Sequence, residues 1–193
     1  GIMTTIAAAI KNFEAKLEEG QTADTQAKVE LYCQVPPISK LDAGLNALTE
    51  CEQLSLSTNS IDRMANLGGL TKLKILSMGR NNIKKIEHLE SNAATLEELW
   101  LSYNQISTLD GLGGLNSLRS LYLSNNSIKQ WSELEKLKDL PGLKDLLLIG
   151  NPIYSEFTPE LARIEVIKYL PNITKLDGDM VTGAEREAAQ GIV

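Results

Sequence analysis

One eleven-residue frame governs what this chain can fold into. Leu96-Glu-Glu-Leu99-Trp-Leu101-Ser-Tyr-Asn104-Gln-Ile106 spells L-x-x-L-x-L-x-x-N-x-I. The same frame appears at Cys51, Leu54, Leu56, Asn59, Ile61 and at Leu73, Leu76, Met78, Asn81, Ile83. It returns at Leu118, Leu121, Leu123, Asn126, Ile128 and at Leu143, Leu146, Leu148, Asn151, Ile153. Successive asparagines stand 22, 23, 22 and 25 residues apart. Units that short cannot bury an apolar face alone, so they must stack into one continuous core.

The period is that of leucine-rich repeats, and the expected fold is an α/β solenoid. Each L-x-L segment should form a short parallel strand on the concave side. The second half of the unit runs Ile61-x-x-Met64-x-x-Leu67-x-x-Leu70-x-x-Leu73 and Ile106-x-x-Leu109-x-x-Leu112-x-x-Leu115-x-x-Leu118. Three-residue spacing suits a 3₁₀-like or short helical return, with bends at Gly68-Gly69 and Gly113-Gly114. Asn59, Asn81, Asn104, Asn126 and Asn151 are assigned to the fold, because a buried amide can satisfy backbone groups of neighbouring turns.

The ends depart from the frame. Gly1 and Ile2 stand before Met3 and are expected to be a remnant upstream of the native start. Thr4 and Thr5 are candidate N-caps for a helix within residues 3–19, with Ile6, Ile10, Phe13 and Leu17 on one face and Gly20 as its stop. Residues 3–28 then form an N-terminal capping helix and linker, and residues 29–50 a degenerate first repeat. In that repeat Leu31 and Cys33 take the two L-x-L positions, Pro36 replaces the asparagine, and Cys33 and Cys51 pack as small buried apolar groups. Regular repeats fill residues 51–158. Residues 159–193 make the C-terminal cap, with a helix at 160–170 and a second helix from Gly183 to Ala189 opened by the capping box Thr182-Gly-Ala-Glu185. A single domain covering residues 3–193 is expected.

Charge narrows the function classes. Nineteen basic against 25 acidic side chains give a net charge of -6. That balance argues against nucleic acid or an anionic membrane as a general partner, since both are bound through a basic face. Two cysteines make no disulfide framework, and no stretch has the pattern of a signal peptide or a bilayer span. A soluble protein of a reducing compartment is expected. No enzyme, metal or cofactor is indicated: the one histidine, His88, has no partner at metal-ligand spacing, and the glycine pairs lack a phosphate-loop lysine. His88 is expected to face solvent on the convex side.

Side chains that the frame leaves free carry the functional information. The residue between the last two leucines points out of the concave sheet, giving the row Ser55, Ser77, Trp100, Tyr122, Leu147. Two residues further on stand Ser57, Gly79, Ser102, Ser124 and Ile149, and then Thr58, Arg80, Tyr103, Asn125 and Gly150. Trp100, Tyr122, Leu147 and Ile149, with Tyr103 and Arg80 at the edge, form an apolar and aromatic patch of the kind used to bind proteins. The alternative is that a terminal helix or loop folds over it. Met180, Val181 and Arg186, beside the capping box, are a second candidate surface, with a solvated tail helix as the alternative. Lys84-Lys85 and Glu97-Glu98 read as solvated faces.

The 22-residue unit and the ending Val166-Ile-Lys-Tyr-Leu170-Pro-Asn-Ile173-Thr-Lys-Leu176-Asp-Gly178 resemble the SDS22-like class of leucine-rich repeats. A closer resemblance covers nearly the whole chain. It rests on Leu31-Tyr-Cys-Gln-Val-Pro-Pro-Ile38, Cys51-Glu-Gln-Leu-Ser-Leu-Ser-Thr-Asn59, Gly79-Arg-Asn-Asn-Ile-Lys84, Thr95-Leu-Glu-Glu-Leu-Trp-Leu-Ser-Tyr-Asn104 and Gly150-Asn-Pro152. With the N-terminal helix, these segments look like the leucine-rich-repeat light chains of axonemal outer-arm dynein. The resemblance implies a cytoskeletal protein of the cilium or flagellum, a monomer within a larger complex. Its implied partner is a dynein heavy chain, met near the stalk tip that grips the microtubule, with tubulin as a secondary contact. An adaptor for a protein phosphatase, as in SDS22-type subunits, is the competing expectation. A ribonucleoprotein scaffold is a third, because a splicing-associated relative shares the cap.

Overall fold

The computed structural model describes residues 2–191. Its spine is a sheet of short strands in sequence order: β1 (Lys28–Glu30), β2 (Gln53–Ser55), β3 (Ile75–Ser77), β4 (Glu98–Trp100), β5 (Ser120–Tyr122), β6 (Asp145–Leu147) and β7 (Lys175–Leu176), all parallel. An eighth strand, β8 (Asp179–Met180), pairs antiparallel with β7. The register sets Leu54, Leu76, Leu99, Leu121, Leu146 and Leu176 in one row beneath the sheet, all buried. Return segments lie on the other side of the core. Most are turns, with 3₁₀ pieces at Ala43–Ala47, Glu90–Asn92 and Trp131–Asp139. The result is a leucine-rich-repeat solenoid.

The asparagines hold successive turns together by one repeated connection. Asn104 Oδ1 accepts from Ile83 N–H of the preceding repeat at 2.9 Å, and its Nδ2 donates to Met78 O and Leu101 O, each at 3.0 Å. Asn59, Asn81, Asn126 and Asn151 make the same three bonds, each in its own frame. Carbonyls and amides at the bend would otherwise be buried without partners, at a cost of about 1–3 kcal/mol for each group. At the end of the array Asp177 takes over. Its Oδ1 accepts from Leu148 N–H and Ile149 N–H at 2.7 and 2.9 Å, and its Oδ2 accepts from the Tyr154 hydroxyl at 2.7 Å.

Each terminus is closed by a different device. Helix α1 (Ile6–Glu14) is capped by Thr5, whose side chain accepts from Ala8 N–H, and buries Ile6 and Ala9. It packs on the 3₁₀ turns Ala23–Thr25 and Ala43–Ala47, which seals the first repeat. It ends at Glu14 rather than running to Gly20, which still takes a left-handed φ of 85°. Helix α2 (Pro159–Tyr169) replaces the last return, and α3 (Gly183–Ala189) opens with both bonds of the Thr182–Glu185 capping box.

The degenerate repeat corrects the sequence-based register. Val29 and Leu31, not Leu31 and Cys33, take the buried L-x-L positions: Val29 pairs with Leu54, and Leu31 N–H donates to Ser55 O. Cys33 is exposed with φ 51°, in the left-handed column that continues through Thr58, Arg80, Tyr103 and Asn125. The physical reason is loop length. Seven positions separate Leu31 from Ile38 where five separate Leu56 from Ile61, so aligning the two isoleucines shifts the upstream frame by two. Cys51 is buried as expected, and burial pushes its thiol up to about 11.

Candidate functional site

Strand pairing brings the concave row together. Ser77 pairs with Trp100, Trp100 with Tyr122, and Tyr122 with Leu147, so these side chains leave one face of adjacent strands. The Trp100 and Tyr122 rings stack at 5.7 Å between centroids with planes 13° apart. Stacking of that kind contributes about 0.5–1.5 kcal/mol beyond area burial. Trp100, Tyr122 and Leu147 are half-buried, and Ile149 is 55% exposed. The Trp100 indole N–H is buried and has no acceptor among the described residues.

A second pair borders this patch where the chain leaves the strands. The Arg80 guanidinium lies over the Tyr103 ring, 4.1 Å from its centroid, and Tyr103 is 46% exposed. Both residues have positive φ, 55° and 60°. The following repeats use Asn125 at 55° and Gly150 at 85° in the same column. A Cβ on Gly150 would come within 2.3 Å of Asn125 Oδ1, so the bend beside Ile149 admits no side chain without displacing its neighbour.

Polar neighbours that the sequence reading overlooked shape the patch. The Tyr122 hydroxyl donates to Asp145 Oδ2 at 2.9 Å. Burial first, and the Asp145 carboxylate second, push the phenol up to about 12, so it is a neutral donor at physiological pH. Glu98, one pleat before Trp100, accepts from Arg119 at 3.2 Å. Ser120 is buried on the same face, in register with Glu98 and Asp145. The signal for all of these was available: the row Ile75, Glu98, Ser120, Asp145 lies two residues before the chosen row and therefore points the same way.

Of the three residues named in the post-cap segment, Val181 packs half-buried against the core, and the other two separate in role. Met180 is 64% exposed on β8, opposite Lys175. Arg186 is half-buried and donates to Pro171 O and Ile173 O, which ties α3 to the last repeat. Arg163 of α2 makes the companion tie. It forms two bonds to Glu185 and a third to Leu176 O at 2.6 Å. The guanidinium holds the Glu185 carboxyl down to about 2.

Other features stand apart from the patch. Trp131 stacks on Tyr154 and Tyr169 at 6.0 and 6.3 Å on the return side, an aromatic cluster built against the core. His88 is exposed with φ 61°, its Nε2 3.8 Å from Glu87 Oε1. Lys84 and Lys85 are exposed. Among the described residues no three His, Cys, Asp or Glu side chains converge to hold a metal. Nor, among the described residues, is any helix long and apolar enough to cross a membrane.

Comparison with known proteins agrees with this architecture and narrows it. A family model described as the NXF1/2/3/5 leucine-rich repeat domain matches residues 86–178. Among solved structures, an internalin (inlF) from Listeria monocytogenes aligns with a TM-score of 0.60 and 26% identity, covering 73% of this chain and 38% of that one. The Drosophila melanogaster SNF/U2A' complex aligns with a TM-score of 0.58 and 26% identity, over 68% of this chain and 75% of the other. Dynein axonemal light chain 1 of Xenopus laevis is 58% identical over 184 residues, 94% of this chain and 96% of that protein. The protein of that name from Chlamydomonas reinhardtii is 54% identical over 190 residues, 96% and 95% of the two chains. Its Homo sapiens namesake is 54% identical over 185 residues, 95% and 96%. Identity of that degree over nearly the full length of both chains means that this chain belongs to the dynein axonemal light chain 1 family.

Proposed function

We propose that this chain docks on a dynein heavy chain through the C-terminal half of its concave sheet, and thereby modulates the motor of an axonemal dynein. Membership of the family makes it a dynein light chain of the axoneme, part of the ciliary or flagellar cytoskeleton. The finer reading rests on one observation: Trp100, Tyr122 and Leu147 stand in register on one sheet face, next to exposed Ile149 and the Arg80–Tyr103 pair. Rigid aromatic rings beside an arginine are the usual anchors of protein interfaces. The stalk-tip region of the heavy chain is the proposed docking point. Tubulin, met through Lys84 and Lys85, is at most a secondary contact on a chain of net charge -6.

Titration of the purified heavy-chain stalk-tip domain tests this reading. Wild type binds, and Trp100→Ala with Tyr122→Ala weakens binding by more than about 30-fold, the loss of about 2 kcal/mol expected of a hot spot. Met180→Ala serves as the comparison beyond the patch. If Met180→Ala alone abolishes binding and the aromatic pair is neutral, the concave face is not the interface.

A further inference from the structure

The concave patch does not stop at β6. Ile149, its last apolar member, also forms one wall of a cleft of about 610 Å³ at the C-terminal rim. The remaining walls come from Tyr154 and Phe157 of the following loop, from Pro159 and Ala162 of α2, and from Asp177 and Asp179 of the terminal hairpin. This volume falls within the range of clefts that hold a small molecule, and leaves room for an apolar side chain with its neighbours.

The charges around the cleft differ in what they have left to offer. Arg163 also lines it, but its guanidinium is consumed by Glu185 and by backbone carbonyls. Asp177 accepts from two backbone amides and the Tyr154 hydroxyl. The carboxylate of Asp179, an exposed residue, is in no ion pair and accepts no hydrogen bond among the described residues, while the Asp179 backbone carbonyl accepts from Arg163 Nη2 at 3.4 Å. The available charge at the mouth is therefore a single carboxylate above an aromatic and aliphatic floor. An arginine, lysine or amine attached to an apolar group complements that arrangement, whereas an anion would meet Asp179 without a free cation to balance it.

We infer that the cleft is a second docking subsite, which takes an apolar side chain of the partner with a neighbouring cation placed against Asp179. This rests on the reading that the partner lies on the concave face, because Ile149 joins the two surfaces. The partner segment would cross from Trp100 and Tyr122 over the rim at Ile149 and end in the cleft. It would be an amphipathic segment whose basic residue follows its apolar anchors.

Two measurements keep the inference and its premise apart. In the first, phenethylammonium and phenylacetate are titrated separately into the isotope-labelled full chain and followed by amide chemical shifts. Phenethylammonium is expected to move Ile149, Tyr154 and Phe157, with apparent affinity lowered at least about threefold in Asp179→Asn and movement lost in Ser155→Trp, which fills the cleft from its rim. Equal response to phenylacetate, or shifts confined to other surfaces, overturns the subsite. In the second, the heavy-chain stalk-tip domain is titrated against Ser155→Trp, Asp179→Lys and Trp100→Ala, each first checked for an unchanged thermal unfolding profile. Loss of about tenfold or more in the first two supports the inference. If Trp100→Ala weakens binding and both cleft variants are neutral, the subsite falls and the concave reading stands. If the cleft variants weaken binding and Trp100→Ala does not, the concave reading falls, and with it the path over Ile149, while the cleft stands as a docking site by itself.

Discussion

The two halves of the concave sheet are built alike and dressed differently. On β2 and β3 the outward row is Ser55 and Ser77, whereas on β4 to β6 it is Trp100, Tyr122 and Leu147. Beneath both halves run the same leucine row and the same asparagine connection. Alternate residues of one strand therefore carry the scaffold and the proposed recognition surface, and a change in one layer should leave the other intact. In that row the serines of β2 and β3 leave the surface open, while the large side chains of β4 to β6 are the proposed anchors.

The most severe way to break the comparison is through the scaffold. Asn104→Ala removes three bonds from a buried bend, and Asn81→Ala removes the same three one repeat earlier together with a longer one to Gly79 O at 3.2 Å. Each should lower unfolding free energy by about 3 kcal/mol in urea titration, since several backbone groups lose their partners together. Similar losses in both halves are expected. A cost at Asn104 far above that at Asn81 would mean that the two halves differ in structure as well as in surface.

Next in size is the contrast on the surface. Trp100→Ala should cost about 2 kcal/mol of heavy-chain binding by calorimetry, against less than about 0.5 kcal/mol for Ser77→Ala. Comparable losses would make the serine half part of the anchor region.

Acid sharpens the comparison at the C-terminal end, which depends on an ion pair where α1 at the other end relies on a hydroxyl cap. The folded Glu185 carboxyl is held at about 2, below its ordinary 4.5, chiefly by Arg163. A depressed carboxylate contributes stability that is present above the unfolded value and is lost as pH falls from about 4.5 towards 2. Stability should decline across that window, and Glu185→Gln should remove that part of the slope in pH-dependent urea melts. The smallest expected effect is on the phenol. Asp145→Asn should bring Tyr122 down from about 12 in ultraviolet titration, yet not fully to 10, because burial is the larger cause of the shift.

Periodicity made most of the fold readable. Five asparagines at a nearly fixed spacing announce the connection they form, and Thr182 with Glu185 announces the start of α3. The failure at Cys33 came where two extra loop residues let Leu31-Tyr-Cys33 imitate the frame that Val29-Glu-Leu31 fills. Aromatic residues of the candidate site were legible because alternation fixes which way a strand residue points. Asp145 was equally accessible but sat in a row that had not been followed. The ties from Arg163 to Glu185 and from Arg186 to Pro171 were not accessible at all: they join residues 22 and 15 apart through irregular chain, with no period to mark them.

The antiparallel turn of β8 onto β7 has a consequence for how such a chain can change in length. A parallel edge strand would offer open amides and carbonyls to another turn of solenoid, or to another molecule. Here the chain occupies that edge with its own reversed strand, and Arg163 and Arg186 bind the helices behind it. A further parallel turn of solenoid finds no parallel strand to extend at this margin. Insertion between two existing asparagine-linked repeats, where both neighbours already present the matching bonds, fits an additional turn into the array without disturbing this margin.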